Sequence, residues 1–502
     1  MLSAYSSSSA PRTPGRFFWS LLCETYFLTT LPKECVMPIK VTIIGAGPGG
    51  YVAAIHAAQK GAQVTLIEFA EVGGTCLNWG CIPTKTLIAS AETLERVRHA
   101  DDFGIEVPGA IGYNLAKVRE RKDKVVSTQV KGIRGLLKSW GVSLIQGRGS
   151  LLSPDVVRVV QEDGTTMDIK SDKIIIATGS RPAKLPGFPF DGESVVTSDD
   201  AVLLKSIPAR LLIVGAGVIG SEFAFIYRAF GAEVTMVEMM PYAISTEDEE
   251  LSELLERELK KAKIKLIPNT KVENIEKNIN GILGVKLSNG QELGVDMILV
   301  SIGRSMNSDG LLLEDIGVIR GNRGEIVVDE RMETSVQGVY AIGDVTGKIM
   351  LAHVASHQGL VAVENALGGK VKMDYSVVPS CIFTMPEIGS VGIREKTAVE
   401  KGMKYRVGRF HYRTLGKAHA MGEITGMIKI LAEESTDRVL GVHICGAHAT
   451  DIIHEGALAI QMGATAAQLG QMIHAHPTLA EGIMEAAEDV HGMAIHAPKL
   501  EK

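Results

Sequence analysis

Cys76 and Cys81 stand in Gly73-Gly-Thr-Cys76-Leu-Asn-Trp-Gly-Cys81-Ile-Pro-Thr-Lys85, with a glycine shortly before each cysteine. That spacing predicts a turn feeding the first turn of a helix. A helix N-terminus carries partial positive charge and unsatisfied N–H groups, so it favours a thiolate and lowers the pKa of a cysteine placed there. Two such thiols can cycle between disulfide and dithiol. The bland alternative is two buried apolar cysteines that never meet; the glycines, the helix-start signal and the flanking motifs weigh against it. A second chemical stretch lies near the other end, His474-Ala-His476-Pro-Thr-Leu-Ala-Glu481. A residue directly before proline is biased to extended backbone, and an acid opening the next helix can orient a histidine ring and raise its pKa. Alone, His476 is an ordinary histidine. Beside a thiol pair in need of a base, it becomes a candidate acid–base group.

Two similar units must position these groups. Val41-Thr-Ile-Ile-Gly45-Ala-Gly47-Pro-Gly-Gly50 leads into a helix expected over Tyr51 to Lys60, then Gly61 and Val64-Thr-Leu-Ile-Glu68. Strand, glycine turn, helix, strand and terminal acid make a dinucleotide-binding unit. In it Gly45 permits the tight turn, Gly47 lets backbone approach a pyrophosphate, Gly50 allows close helix packing, and Glu68 accepts from ribose hydroxyls. Leu211-Leu-Ile-Val-Gly215-Ala-Gly217-Val-Ile-Gly220 repeats the design, with a helix expected over Ser221 to Phe230, then Gly231 and Val234-Thr-Met-Val-Glu238. Glycine to acid spans 23 positions in both copies. Two dinucleotides are therefore expected. The thiol pair follows Glu68 closely, so the first unit should hold a flavin, FAD, able to exchange electrons with a disulfide. The second is then the nicotinamide site; Met239, Met240 and Pro241 follow Glu238 with no arginine for a 2′-phosphate, which favours NAD.

Between and beyond these units, a mostly helical stretch covers Thr84 to Trp140 and strand-rich sequence covers Val142 to Val160. Lys173 to Ser180 is a buried strand ending in the small turn Thr178-Gly179, and the loop from Pro182 to Pro189 reads as a domain crossover. Asp296 to Arg304 is the strand matching Lys173 to Ser180, and it closes the second unit. Gly338-Val-Tyr-Ala-Ile-Gly-Asp344 reads as a strand ending in an acid, placed to bind a flavin ribityl hydroxyl, with a helix or turn cap as the plain alternative. Leu351-Ala352-His353 opens a helix whose N–H groups would face the electron-rich flavin edge. Thr75, Lys85, Thr178, Gly179 and Gly303 complete the candidate cofactor-binding set, and no metal-ligand pattern is present. From about Val377, short alternating strands (Lys404 to Tyr412, Gly426 to Leu431, Val439 to Ile444) precede helices over Asp451 to Met462 and Ala466 to Ile473, an α+β module suited to dimerisation.

With 502 residues, 45% apolar and 22% charged, the chain is too long for one core and fits an α/β enzyme of several domains. A net charge of −6 leaves no basic signature for nucleic acid. Six scattered cysteines exclude a secreted disulfide scaffold and suit a reducing compartment. Residues 1–36 differ in kind, Ser-rich and then apolar. They read as a disordered or targeting-like extension, with Met37 the favoured start, which implies a cytoplasmic protein; a true transit peptide would imply the mitochondrial matrix.

Taken together, the Cys76–Cys81 stretch, both glycine fingerprints, Ala341-Ile-Gly-Asp344 and the His474 to Glu481 segment resemble the dihydrolipoamide dehydrogenase branch of the pyridine nucleotide-disulfide oxidoreductase family, from about Met37 to Val490. The resemblance implies two Rossmann-like domains for FAD and NAD plus a C-terminal α+β dimerisation domain. The expected bounds are 37–184 for the first part of the FAD domain, 185–304 for the NAD domain, 305–376 for a central domain completing the FAD site, 377–490 for the interface domain and 491–502 for a tail. It makes Cys76 the thiol that meets substrate and Cys81 the thiol beside the flavin. Lys85 would pair with Glu222 near the flavin, and His476, oriented by Glu481, would serve the neighbouring subunit of a homodimer. The implied activity oxidises dihydrolipoamide on lipoyl domains of 2-oxo acid dehydrogenase or glycine cleavage complexes, with NAD as acceptor and a role in cell redox homeostasis. The family usually continues Gly-Arg with Arg-Pro-Asn; here Ser305-Met306-Asn307 follows Arg304. A glutathione reductase would place basic residues near Glu238, and a mercuric reductase would add cysteines after Cys445; neither is present. A docked structural flavoprotein subunit is a reading compatible with the enzyme, and replacing Cys81 with serine separates them, because docking would survive and turnover would not; a non-catalytic NAD-sensing module would have no use for the thiol pair.

Overall fold

In the computed structural model, which describes residues 37–277 and 281–498, the two glycine units build two parallel sheets of the same plan. The first runs Val339–Ala341, Lys173–Ile176, Lys40–Ile44, Gln63–Glu68, Ser143–Gln146. The second runs Lys265–Ile267, Glu233–Val237, Arg210–Val214, Met297–Val300, Val195–Val196. In each, the strand before the glycine turn is central, with the next strand of its unit on one side and a later strand on the other. That reversal opens a crevice beyond the strand ends, the place where such sheets bind ligands. The expectations for residues 1–36, and for 499–502 of the tail, lie outside the described residues.

Each glycine turn is dictated by contact. Gly45 and Gly215 have φ of 102° and 98°, and a Cβ there would lie 2.3 Å from the Ala177 carbonyl oxygen and 2.6 Å from that of Ser301. At Gly50 and Gly220 a Cβ would fall 1.8 and 2.0 Å from the carbonyl oxygens of Gly45 and Gly215. Any side chain at these four points would push the helix off its sheet. The helices begin earlier than expected, at Pro48 and Val218, with Gly47 and Gly217 as N-caps. Proline at the first position costs nothing there, since its missing N–H would be unpaired anyway.

Residues 180–182 and 304–306 pair antiparallel, so Ser305 and Met306, which depart from the family pattern, form a two-stranded ribbon rather than a loop. Asn307 then clamps the turn after the first sheet, donating from Nδ2 to the Thr178 carbonyl at 3.0 Å while its N–H bonds Gly179 O at 2.9 Å.

The C-terminal module is an antiparallel sheet in the order Ser380–Ile382, Ile388–Gly392, Val439–Cys445, Met427–Glu433, Tyr405–His411, packed against helices Ala449–Met462 and Glu481–Asp489. The two strands before Gly392 were not anticipated. Across all five strands runs one register of polar residues, Ser380, Ser390, His443, Lys429 and Arg409. Directly opposed residues point to one face. That face meets the acids opening helix Glu249–Lys261 of the second unit. Lys429, 1% exposed, bonds Asp248 at 2.9 Å, Glu250 at 2.6 Å and Glu395 at 2.5 Å, and Arg409 takes Glu250 at 2.8 Å. A buried ammonium is tolerable only with such pairing.

Candidate active site

Cys81 is the first residue of helix Cys81–Arg98, whose N-cap is Gly80. Cys76 lies in a separate helical turn, Gly74–Asn78, where a plain turn was expected. Gly73, at φ 90°, starts that turn, and Asn78 Nδ2 closes it by donating to the carbonyls of Val72 and Gly74, both at 3.0 Å. The structure holds the two cysteines as free thiols rather than as the disulfide, with a hydrogen bond between their side chains. That bond divides their roles. Cys81 is lowered to about 7 by the bond from Cys76, with the Lys85 ammonium adding to it and burial opposing. Cys76 is raised above the ordinary thiol range by the same bond and by burial. In the dithiol, the negative charge belongs to Cys81.

Lys85 follows Cys81 by one helical turn because both lie on the same face. Farther along, Leu87, Ile88, Ala91 and Leu94 form the apolar stripe that buries this helix against Phe223, Ala224 and Tyr227 of helix Val218–Ala229. This packing brings Lys85 to Glu222 across a sequence gap of 137 residues, with Nζ 2.8 and 2.9 Å from the two carboxylate oxygens. The Glu222 side chain is 4% exposed, and its Oε1 also accepts the Phe383 N–H at 3.0 Å. Lys85 Nζ lies 4.4 Å from the centroid of the Phe383 ring, a cation–π contact. Three segments thus meet beside Cys81. Phe383 escaped sequence reasoning, because an ordinary phenylalanine after a short strand carries no local signal of a partner so far away.

The two terminal acids do the same work in both units. Glu68 accepts from Ala46 N at 2.7 Å and Ala70 N at 2.8 Å; Glu238 accepts from Ala216 N at 2.7 Å and Met240 N at 2.8 Å. Each carboxylate ties its glycine turn to the end of the next strand, a duty beyond the ribose contact expected. Burial nonetheless pushes the Glu68 carboxyl up, outweighing these donors. Helices Pro48–Gln59, Val218–Ala229 and Ala352–Ala366 all start without a side-chain cap bond. Their first N–H groups are therefore suited to phosphate or another electron-rich group. Leu351 is the N-cap of the third helix, and His353 Nε2 lies 2.9 Å from Pro379 O. Asp344 sits in the turn Gly343–Thr346, past the end of strand Val339–Ala341, where it accepts from the Ser180 hydroxyl and lies 3.8 Å from Arg304 Nε. Gly303 has φ of 120° with open space where a Cβ would be, and Thr75 lies in the Cys76 turn. Uncapped N–H groups at each glycine turn, ready to donate to a pyrophosphate, with an acid close by, are the set of partners a dinucleotide needs. The residues fit two such groups.

His476 Nδ1 lies 2.8 Å from Glu481 Oε1, and Glu481 Oε2 accepts the Thr478 N–H at 2.8 Å. Burial raises the Glu481 carboxyl, but the Thr478 N–H and the His476 ring prevail and hold it below its ordinary value. With Nδ1 donating to the carboxylate, Nε2 is the proton acceptor. The His476 side chain is 76% exposed, and the His476–Pro477 peptide is cis. Among the described residues no hydrogen bond or ion pair links His476 to either cysteine of its own chain.

The family model for pyridine nucleotide-disulphide oxidoreductases matches residues 39–359, and the dimerisation-domain model of the same family matches 378–487. The chain belongs to that family. The dihydrolipoyl dehydrogenase of Chlamydia trachomatis is 42% identical over 462 residues, covering 92% of this chain and 98% of its own. That of Bacillus subtilis is 42% identical over 469 residues, covering 91% and 98%. The crystal structure of LpdA from Mycobacterium tuberculosis matches with a TM-score of 0.84 at 31% identity, over 90% of this chain and 99% of that one. Within the family, this is an FAD- and NAD-dependent disulfide oxidoreductase of the dihydrolipoyl dehydrogenase type, and its dimerisation domain makes it a dimeric enzyme. Among the described residues no helix is long and apolar enough to cross a membrane.

Proposed function

We propose that the physiological substrate is dihydrolipoamide on the lipoyl domain of a 2-oxo acid dehydrogenase or glycine cleavage complex. The observation that carries the reading is the hydrogen-bonded thiol pair, with its charge on Cys81 and that sulfur beside the Lys85–Glu222 bridge between the two dinucleotide units. When bound, FAD would supply a two-electron acceptor for the Cys81 thiolate, and NAD would supply the final hydride acceptor. In the oxidised enzyme Cys76 and Cys81 form a disulfide. His476 of the partner subunit takes a proton from one substrate thiol at Nε2, held by Glu481 of the same subunit. The substrate thiolate attacks Cys76, the Cys76–Cys81 bond breaks, and Cys81 leaves as the thiolate that Lys85 favours. The second substrate sulfur, losing its proton, attacks the first and closes the lipoyl ring. Cys76 departs and takes up a proton.

In this reading residues 37–184 and 305–376 surround the flavin, 185–304 hold NAD and 377–490 form the interface. Gly45, Gly47 and Gly50 with Glu68 cradle the FAD adenosine and pyrophosphate, while Gly215, Gly217 and Gly220 with Glu238 do so for NAD. Asp344 and the start of helix Ala352–Ala366 serve the flavin's ribityl and ring ends. The compartment is the cytoplasm, in keeping with few and scattered cysteines and a start at Met37, or the mitochondrial matrix if residues 1–36 are a transit peptide. The test is turnover of the purified flavin-loaded chain with free lipoyl domain or H-protein carrying dihydrolipoamide, against reduced glutathione, with NAD and NADP as acceptors. The reading expects strong preference for the lipoyl proteins and NAD; turnover confined to glutathione or to NADP would overturn it.

A further inference from the structure

Helix Glu481–Asp489 presents a second carboxylate, Glu485, one turn after Glu481 and on the same face. Glu485 is 2% exposed, and a charge so deeply buried must be paired. Among the described residues its side chain takes its hydrogen bonds from the C-terminal tail, which folds back along the helix. Its Oε2 accepts the N–H groups of Ile495 at 2.9 Å and His496 at 3.2 Å, and its Oε1 meets His496 Nδ1 at 2.5 Å. The His496 ring is otherwise open to solvent, with 69% of its side chain exposed. Two histidine–carboxylate pairs thus stand one turn apart, His476–Glu481 and His496–Glu485.

We propose that His496 is a positioning residue for the His476 acid–base pair, acting through Glu485 to offset a negative charge one helical turn from Glu481. The inference rests on the reading of His476 as the acid–base group. The titratable groups facing His496 are Glu485 and Glu481; Glu481 in turn faces His476 and His474, whose Nε2 is bonded to Glu455 at 2.7 Å. The pair with Glu485 holds the His496 ring above the ordinary histidine range, with Glu481 contributing. Without the His496 cation, Glu485 remains as an uncompensated anion at the spacing where like charges on a helix repel. Its field strengthens the hold of Glu481 and His476 on a proton. The tail cation therefore shields the His476–Glu481 pair from a second negative charge one helical turn away.

The test is the pH profile of kcat/KM for dihydrolipoamide in H496Q and H496A, measured on flavin-loaded dimer, with H476Q alongside. Glutamine keeps a donor for Glu485 without the charge. The acid limb should move to higher pH by about 0.3 units in both variants, the size of one like-charge pair at this spacing. E485Q, which removes the anion, should leave the limb at or below its wild-type position. An acid limb unmoved in H496Q and H496A, while H476Q abolishes turnover, would overturn this inference alone. Full turnover in H476Q would overturn the acid–base assignment beneath it.

Discussion

Lys85 and Glu222 should move the acidity of Cys81 in opposite directions, although they form one ion pair. Lys85 attracts the Cys81 thiolate and Glu222 repels it, so K85M should raise the Cys81 pKa from about 7 and E222Q should lower it. An opposite charge at this range shifts a pKa by about one unit or more. If removing Lys85 costs about one unit, the thiolate fraction at pH 7 falls from about half to about a tenth. Alkylation of the reduced enzyme by iodoacetamide at pH 7 should then slow about fivefold in K85M and quicken in E222Q. K85M/E222Q should lie between. The pair also contributes to stability, since removing Lys85 leaves the buried Glu222 carboxylate, among the described residues, with the Phe383 N–H alone; the cost is about 3 kcal/mol, and the double variant should recover most of it. The pH dependence follows from the sign of the Cys81 shift. A thiol whose pKa is depressed on folding adds stability in the reduced enzyme that is complete above the unfolded value near 9 and is lost as pH falls through about 7. K85M should shrink that contribution. Equal alkylation rates in all four proteins, or shifts of the same sign in both single variants, would refute the geometry and the electrostatics together.

Two further variants probe the other parts. H476Q should reduce turnover of dihydrolipoamide by about 10²- to 10⁴-fold while leaving the flavin content of the purified protein as in the parent, because His476, paired with Glu481, is not among the residues proposed to hold the flavin. G220A places a Cβ 2.0 Å from Gly215 O and 2.7 Å from Ser301 Oγ, so NADH oxidation should fail while the purified chain keeps its flavin; G50A, with 1.8 Å to Gly45 O, should instead yield flavin-depleted protein.

What could be read from the sequence was what is encoded within a few turns of chain. Both glycine turns, both terminal acids, the cysteine pair and the His476–Glu481 spacing are local, and each lies where its pattern implied. Both helices start about a turn before the pattern places them, because the fingerprint glycines at Gly49, Gly50 and Gly220 belong to the first helical turn despite their poor intrinsic preference for it. Lys85 and Glu222 met as expected, yet that expectation came from resemblance; nothing near either residue announces a partner 137 positions away. Phe383 and the tail residue His496 had no such guide. Their roles arise from tertiary packing, which single-residue propensity does not carry. Nor did alternation in the C-terminal strands disclose that their inward face was polar, since a lysine such as Lys429 normally signals the solvent side.

That polar row has a mechanical consequence. An oily contact tolerates sliding by an ångström or two, since dispersion forces have little sense of direction. Lys429 and Arg409 engage Asp248, Glu250 and Glu395 through directional bonds of 2.5 to 2.9 Å, so displacement by one residue would strand several charges at once. The seat of the second glycine unit on the dimerisation-domain sheet is therefore keyed, like a toothed joint, and substitutions on either side of it should be tolerated only in matched sets.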